Sequence, residues 1–218
     1  INGQVNAIAC QGEDKVVAVG DFFACSNQST PHIARFDPDG SVDLSFDVGT
    51  GFNNNANCLL VLPDSSILVG GIFGLYNGVL CGNLALLSPQ GPYDASMDNT
   101  PGFAGGDVRA LVRQPDGKLL VGGYFQCHNT APASCLIRLN LDGSSDATFT
   151  SPVYPYALVR TIALQADGMI LVGGDYTSAM YTPPVAGPNR MTRMYPDGAR
   201  DDAFPLGDGP GSGSGSSS

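Results

Sequence analysis

The stretch Gln114-Pro115-Asp116-Gly117-Lys118-Leu119-Leu120-Val121-Gly122-Gly123-Tyr124-Phe125 decides the fold. Asp116-Gly117 supplies the positive φ that a tight hairpin needs, and Leu-Leu-Val suits a strand buried on both faces. Gly122-Gly123 lets the backbone bend or approach a neighbour closely, which a residue with a Cβ does less easily. The same pattern is written four times. Anchored on its second glycine, it falls at Gly20, Gly71, Gly123 and Gly174. Phe22, Phe73, Phe125 and Tyr176 follow two positions later. A second glycine column stands at Gly40, Gly91, Gly143 and Gly198, with Asp43, Asp94, Asp146 and Asp201 three residues beyond. Three further on come Phe46, Met97, Phe149 and Phe204. A period of about 50 residues is the mark of a propeller or a solenoid array.

The units predicted are about 1–51, 52–102, 103–154 and 155–209, making one four-repeat β-propeller-like domain over 1–209, with a flexible Gly/Ser tail over 210–218. Each unit begins with a strand such as Val5–Cys10 and turns at Gly12-Glu13-Asp14-Lys15. A second strand, Val16–Phe22, follows. A loop over Cys25–Pro31 leads to a third strand around Ile33–Phe36, and Val42–Phe46 makes a short fourth. The fourth unit carries a longer loop over Ser178–Pro188. The fold class is all-β, arranged as a four-bladed ring or as an array continuing into other chains. Because Ile1 aligns with Phe52 and Phe103, a whole number of repeats favours a self-contained array or ring. The core is expected at Val16, Ile67, Leu119 and Ile170 or their immediate neighbours, and at Phe46, Phe149 and Phe204.

Composition agrees with short strands and many turns. Of 20 acidic residues, 19 are Asp and only Glu13 is Glu, and Asp forms turns where Glu forms helices. A net charge of −10 disfavours nucleic acid and anionic membranes as partners. No run approaches the ~18 apolar residues of a membrane span. The absence of an initial Met suggests a processed chain. Six Cys and one sequon, Asn27-Gln28-Ser29, lean towards an oxidising, extracellular setting and make Asn27 a glycosylation candidate.

The repeats of units three and four, with Leu136-Ile137-Arg138-Leu139-Asn140-Leu141-Asp142-Gly143-Ser144-Ser145-Asp146-Ala147-Thr148-Phe149 as their second half, resemble the delta-60 repeat family. The similarity covers about residues 1–205. It implies β-propeller-like structure in large secreted or surface proteins, mostly bacterial, and implies no catalytic residues.

Candidate chemistry is sparse. The Asp column suits a structural role, capping turns or meeting Arg35, Arg138 and Arg193, where unit two has Leu86. Asp37–Asp43 loosely resembles a calcium loop, but its counterparts begin with Ser88, Asn140 and Tyr195 and lack the terminal Glu. His32 and His128 stand in different units, there is no Gly-x-Ser-x-Gly elbow, and no Cys-x-x-Cys pair suits zinc. Cys127 with Cys135, in one loop, and Cys25 with Cys81, in equivalent loops, are expected to form disulfides. Cys10 and Cys58, inside first strands, are expected to be buried thiols.

The function expected is a non-enzymatic extracellular structural or adhesive module, without cofactor. Its partners would be a protein or glycan at a surface, or copies of itself. The alternatives are a subunit of an extracellular filament or virion appendage, and a carbohydrate-active propeller enzyme marked by two Asp with opposed pKa shifts.

Overall fold

A computed structural model describes residues 1–151, 153, 157–175 and 190–204. The tail 210–218, the end of the fourth unit at 205–209, and the loop Ser178–Pro188 lie outside the described residues, as does Tyr176. The described chain is all β, without a helix. Each unit is built on a three-stranded antiparallel sheet whose middle strand carries the glycine pair. Unit one uses β1 (Gln4–Gln11), β2 (Lys15–Asp21) and β5 (Ile33–Phe36). Unit two uses β6 (Ala56–Val61), β7 (Ile67–Gly71) and β10 (Leu84–Leu87). Unit three uses β12 (Asp107–Arg113), β13 (Leu119–Tyr124) and β16 (Leu136–Leu139). Unit four uses β17 (Leu158–Leu164), β18 (Ile170–Asp175) and β19 (Met191–Met194).

The segments between second and third strands are not plain loops in the first three units. They fold into outer hairpins: β3 (Ala24–Cys25) with β4 (Gln28–Ser29), β8 (Leu75–Tyr76) with β9 (Val79–Leu80), and β14 (Cys127–His128) with β15 (Ala131–Pro132). In unit three, β11 (Phe103–Ala104) adds a strand beside β14. Two consecutive positive-φ residues close each hairpin, Ser26-Asn27, Asn77-Gly78 and Asn129-Thr130, the backbone of a type I′ turn.

The fourth strand, by contrast, shrinks to one bridge per unit: Phe36 with Val42, Leu87 with Tyr93, Leu139 with Ser145 and Met194 with Arg200. The Asp column stops it. Asp43 Oδ1 accepts from Ser45 N at 2.9 Å and Asp43 O accepts from Phe46 N at 3.3 Å, so the chain turns instead of extending.

The anchor glycines stand opposite a β-bulge. Register shifts between Val5 and Ala7, Ala56 and Cys58, Val108 and Ala110, and Val159 and Thr161. There the first strand crowds the second, and a Cβ on Gly123 would lie 2.0 Å from Asp107 O. The counterparts at Gly20, Gly71 and Gly174 meet backbone oxygens at 2.1, 2.3 and 1.9 Å.

The core lies between units rather than within one. Val17, Val19 and Ile33 of unit one pack with Ala56, Ile67 and Val69 of unit two. Cys58, Leu68 and Leu84 pack with Val108, Leu111 and Val121 of unit three. Ala110, Leu120 and Leu136 pack with Val159, Ile162 and Val172 of unit four. The sheets of units two and three therefore each have one face towards the preceding unit and one towards the following. Val108 Cγ1 comes within 2.5 Å of a Cβ position on Gly70, and Val159 Cγ1 within 2.5 Å of one on Gly122, so a valine seats over a glycine at both junctions. At the first junction the sizes reverse, with Val19 and Ala56 in those columns. The first strands neighbour one another in the order β1, β6, β12, β17, and no comparable contact joins β17 to β1.

Burial differs from expectation at three positions. Phe46 is 6% exposed, but Phe149 and Phe204 are only half-buried. Their rings lie under the guanidiniums of Arg138 and Arg193, at 5.0 and 4.0 Å. Truncating Phe149 therefore costs less than a fully buried aromatic would. Cys10 is exposed rather than buried, because it sits on the face of β1 that no unit covers, whereas Cys58 faces unit three and is buried. Leu119, Ile67 and Ile170 are fully buried, and Val17 takes that role beside half-buried Val16.

Candidate functional site

Two polar constellations recur through the units. The first is a latch. Arg35 Nε donates to Asp43 Oδ2 at 2.8 Å, and Arg138 Nε to Asp146 Oδ2 at 2.7 Å. Each guanidinium also crosses a junction: Arg35 Nη1 donates to Pro89 O at 2.7 Å and Arg138 Nη1 to Pro196 O at 2.6 Å. A glutamine completes the cluster, with Gln11 Oε1 accepting from Arg35 at 2.9 Å while Gln11 Nε2 donates to Pro89 O at 2.9 Å. Gln114 repeats both contacts at 3.4 Å. Arg193 pairs with Asp201 through Nε at 2.7 Å. Unit two has Leu86 in the arginine column, and Asp94 is correspondingly less buried, its Oδ1 accepting from Ser96 N at 2.9 Å.

Every shift in these acids is downward. Hydrogen bonds from the Ser45 hydroxyl, then from Lys15 and Arg35, hold Asp43 well below the usual carboxylate range. Lys118, Thr148 and Arg138 do the same for Asp146. Asp201 is lowered by Arg193.

The second constellation escapes a period-2 reading of the sequence. The bulge residue of each first strand is Asn6, Asn57, Arg109 or Arg160, and the four line one recess of 220 Å³, one from each unit. A bulge re-aims a side chain, and here it turns a polar column away from the apolar junctions. Asn6 Nδ2 donates to Ala56 O at 2.9 Å, and Asn57 Nδ2 to Val108 O at 3.2 Å. Arg160 grips Asp175 Oδ2 through Nε at 2.8 Å and Nη2 at 2.5 Å, which lowers the Asp175 pKa. Arg109 Nε lies 2.8 Å from Asp107 Oδ2 as an ion pair, outside hydrogen-bonding geometry. The recess therefore offers amide and guanidinium donors, two of them already balanced by carboxylates. That set can bind and orient oxygen-rich ligands. The one sequence signal was a polar residue, Asn or Arg, at the same register near the start of all four first strands.

The remaining sequence candidates are dispersed. Asp37 pairs with Lys15, and Asp39 Oδ1 accepts from the Ser41 hydroxyl at 2.6 Å, so the carboxylates of the calcium-like segment already have partners. Among the described residues no three His, Cys, Asp or Glu side chains gather as a metal site. His32 Nδ1 lies 3.0 Å from Gly20 O, and His128 bridges Ser145 and Asn99 at 2.9 Å each, both inside their own surroundings. Asn27 is exposed at the tip of its hairpin.

None of the six cysteines, all within the described residues, is in a disulfide. Cys25 lies on the first strand of its outer hairpin and Cys81 beyond the second strand of the next, at opposite ends of equivalent elements. Cys81 Sγ donates to Gly74 O at 3.7 Å and burial pushes its pKa up to about 12. Cys127 is half-buried on β14, and Cys135 Sγ turns inward to Phe125 O at 3.5 Å.

Repeated sheets joined face to face define a β-propeller repeat protein. Three segments, 11–46, 62–96 and 114–149, match the family described as Domain of unknown function (DUF5122) beta-propeller. No curated protein matches the sequence. Among solved structures, the extracellular domain of a hybrid two-component system from B. thetaiotaomicron is similar with a TM-score of 0.57 at 16% identity, over 93% of this chain and 22% of that one. The WD40 β-propeller domain of Doa1 is similar at 0.54 and 16% identity, over 79% and 48%. A gluconolactonase from Xanthomonas campestris is similar at 0.52 and 15% identity, over 90% and 60%. The chain thus spans from 22% to 60% of the length of these three structures, and at such identity the likeness concerns the fold alone.

Proposed function

We propose that this chain is a non-enzymatic extracellular structural or binding module, made of β-propeller repeats of the delta-60 kind. The observation that carries this reading is how its ionic side chains are used. Arg35, Asp43, Arg138 and Asp146 hold one unit to the next, while the four-unit recess presents Asn and Arg donors. Donors of that kind bind; they do not shuttle protons near neutral pH. The extracellular setting is supported by the sequon at exposed Asn27 and by similarity to the extracellular domain of a hybrid two-component system. Among the described residues no helix is long and apolar enough to cross a membrane. The partner is a protein or a glycan at a surface, met at the recess by hydrogen bonds from Asn6, Asn57 and the two guanidiniums.

A second reading, a subunit of an extracellular filament or virion appendage, draws on the uncovered faces of the end units. The carbohydrate-active reading needs a carboxylic acid held protonated near neutral pH. Asp43, Asp64, Asp142, Asp146, Asp175 and Asp201 are all moved the other way by their partners. Incubation with chromogenic glycosides, esters and peptides is expected to give no turnover above the buffer blank. Turnover abolished by one Asp substitution would overturn the proposal in favour of an enzyme.

A further inference from the structure

The two end units each carry half of a junction, and the halves match. At the internal junctions the valine column over a glycine is fully buried, as Val108 and Val159 show at 0% exposure. The same column in unit one is Val5, 40% exposed, and the next buried column, Leu111 and Ile162, is there Ile8 at 68%. Unit four offers the complementary seat. Gly173 stands where Gly70 and Gly122 receive a valine, but among the described residues a Cβ there would meet its own unit alone, at Thr161 and Arg190. Thr161 itself is exposed, whereas its counterparts Cys58 and Ala110 are covered by the following unit.

The latch tells the same story independently. Gln11 and Gln114 each share their arginine and a proline carbonyl of the next unit. In unit four Gln165 Oε1 is buried without a hydrogen-bond partner among the described residues. The carbonyl that would complete that latch by register is that of Pro38, in the turn Asp37–Gly40. A third repeated contact is missing from that turn as well. A Cβ on Gly91, Gly143 or Gly198 would lie 2.3 to 2.7 Å from a backbone oxygen of the preceding unit, while among the described residues nothing lies within 4 Å of one on Gly40.

We propose that the first unit of one copy docks on the fourth unit of a second copy, in the geometry of the internal junctions. Val5 seats over Gly173, and the Pro38 turn enters the Arg193–Gln165 latch. The occupant is another copy because the surface that fits the first unit is present on the fourth, with the valine-over-glycine pairing of the second and third junctions. Such a contact is heterologous, so it closes into a ring when the rotation between copies permits and otherwise runs on as a filament. The inference deepens the structural reading above and does not depend on what the recess binds.

Sedimentation velocity from about 1 to 100 μM, the range in which a moderate interface associates, reads it directly. The 22.5 kDa chain is expected to shift to at least twice that mass as concentration rises. Val5→Asp and Thr161→Glu, both at exposed sites, are each expected to retain the wild-type melting temperature and to stay monomeric alone. Ile8→Asp serves in place of Val5→Asp should the latter fail to fold. Mixed together, a first-unit variant and Thr161→Glu should form a 1:1 complex that grows no further, since each keeps one working face. A wild-type monomer throughout the range, self-association unaffected by both substitutions, or no complex on mixing would each overturn the proposal.

Discussion

Replacing Phe125 by Ala is expected to destabilise the protein by about 3–5 kcal/mol, the cost of truncating a buried aromatic. Phe125 is fully buried in the core between units two and three. Its ring stands 4.6 Å from that of Phe103, so the cavity opens beside another large side chain and cannot collapse without moving it. Chemical denaturation would show the loss as a lower midpoint with an unchanged slope. The contrast is Phe149→Ala, where a half-buried ring under Arg138 is expected to cost less than half as much.

Arg138→Met should be the next most damaging change, at about 3 kcal/mol, the low end of the cost of breaking a buried ion pair. Arg138 is 7% exposed and bonds to Asp146, Pro196 and Thr148. Its loss leaves the Pro196 carbonyl without that donor at a junction. The penalty stays at the low end because Lys118 Nζ still reaches Asp146 Oδ2 at 2.6 Å. Its pH dependence follows from the lowered pKa of Asp146. A depressed carboxylate contributes stability that is whole above the unfolded value of about 4 and is lost as pH falls through the folded value. The gap between Arg138→Met and wild type should therefore be constant near neutrality and narrow below that pH, as equilibrium unfolding across an acid series would show.

The repeat columns made much of this fold legible. Gly20, Gly71, Gly123 and Gly174 mark the middle strand of the main sheet in each unit, because only glycine tolerates the bulge opposite. The fourth strand was misread because Val42, Leu44 and Phe46 alternate like a strand, while Asp43 captures Ser45 and turns the chain, leaving Leu44 72% exposed. Alternation also hid the recess: the bulge inserts one residue, and Asn6, Asn57, Arg109 and Arg160 depart from the parity of their strands. Nor could exposure at Ile8 or Cys10 be read locally. Unit one has the same apolar pattern as its siblings, and what differs is that none of the described residues packs on that face of β1.

The central claim, that the core lies between units and is keyed by valine over glycine, is tested most directly by a double-mutant cycle at the third junction. Gly122→Ala alone is expected to cost about 1–3 kcal/mol by overpacking, since its Cβ would approach Val159 Cγ1 to 2.5 Å. Val159→Ala alone leaves a cavity. Together they set two alanines against each other, and the new methyl fills part of the space that the valine leaves, so the pair should be less destabilised than the sum by about 1 kcal/mol or more. Additivity within about 0.5 kcal/mol would mean that the two side chains do not meet, and would contradict the account.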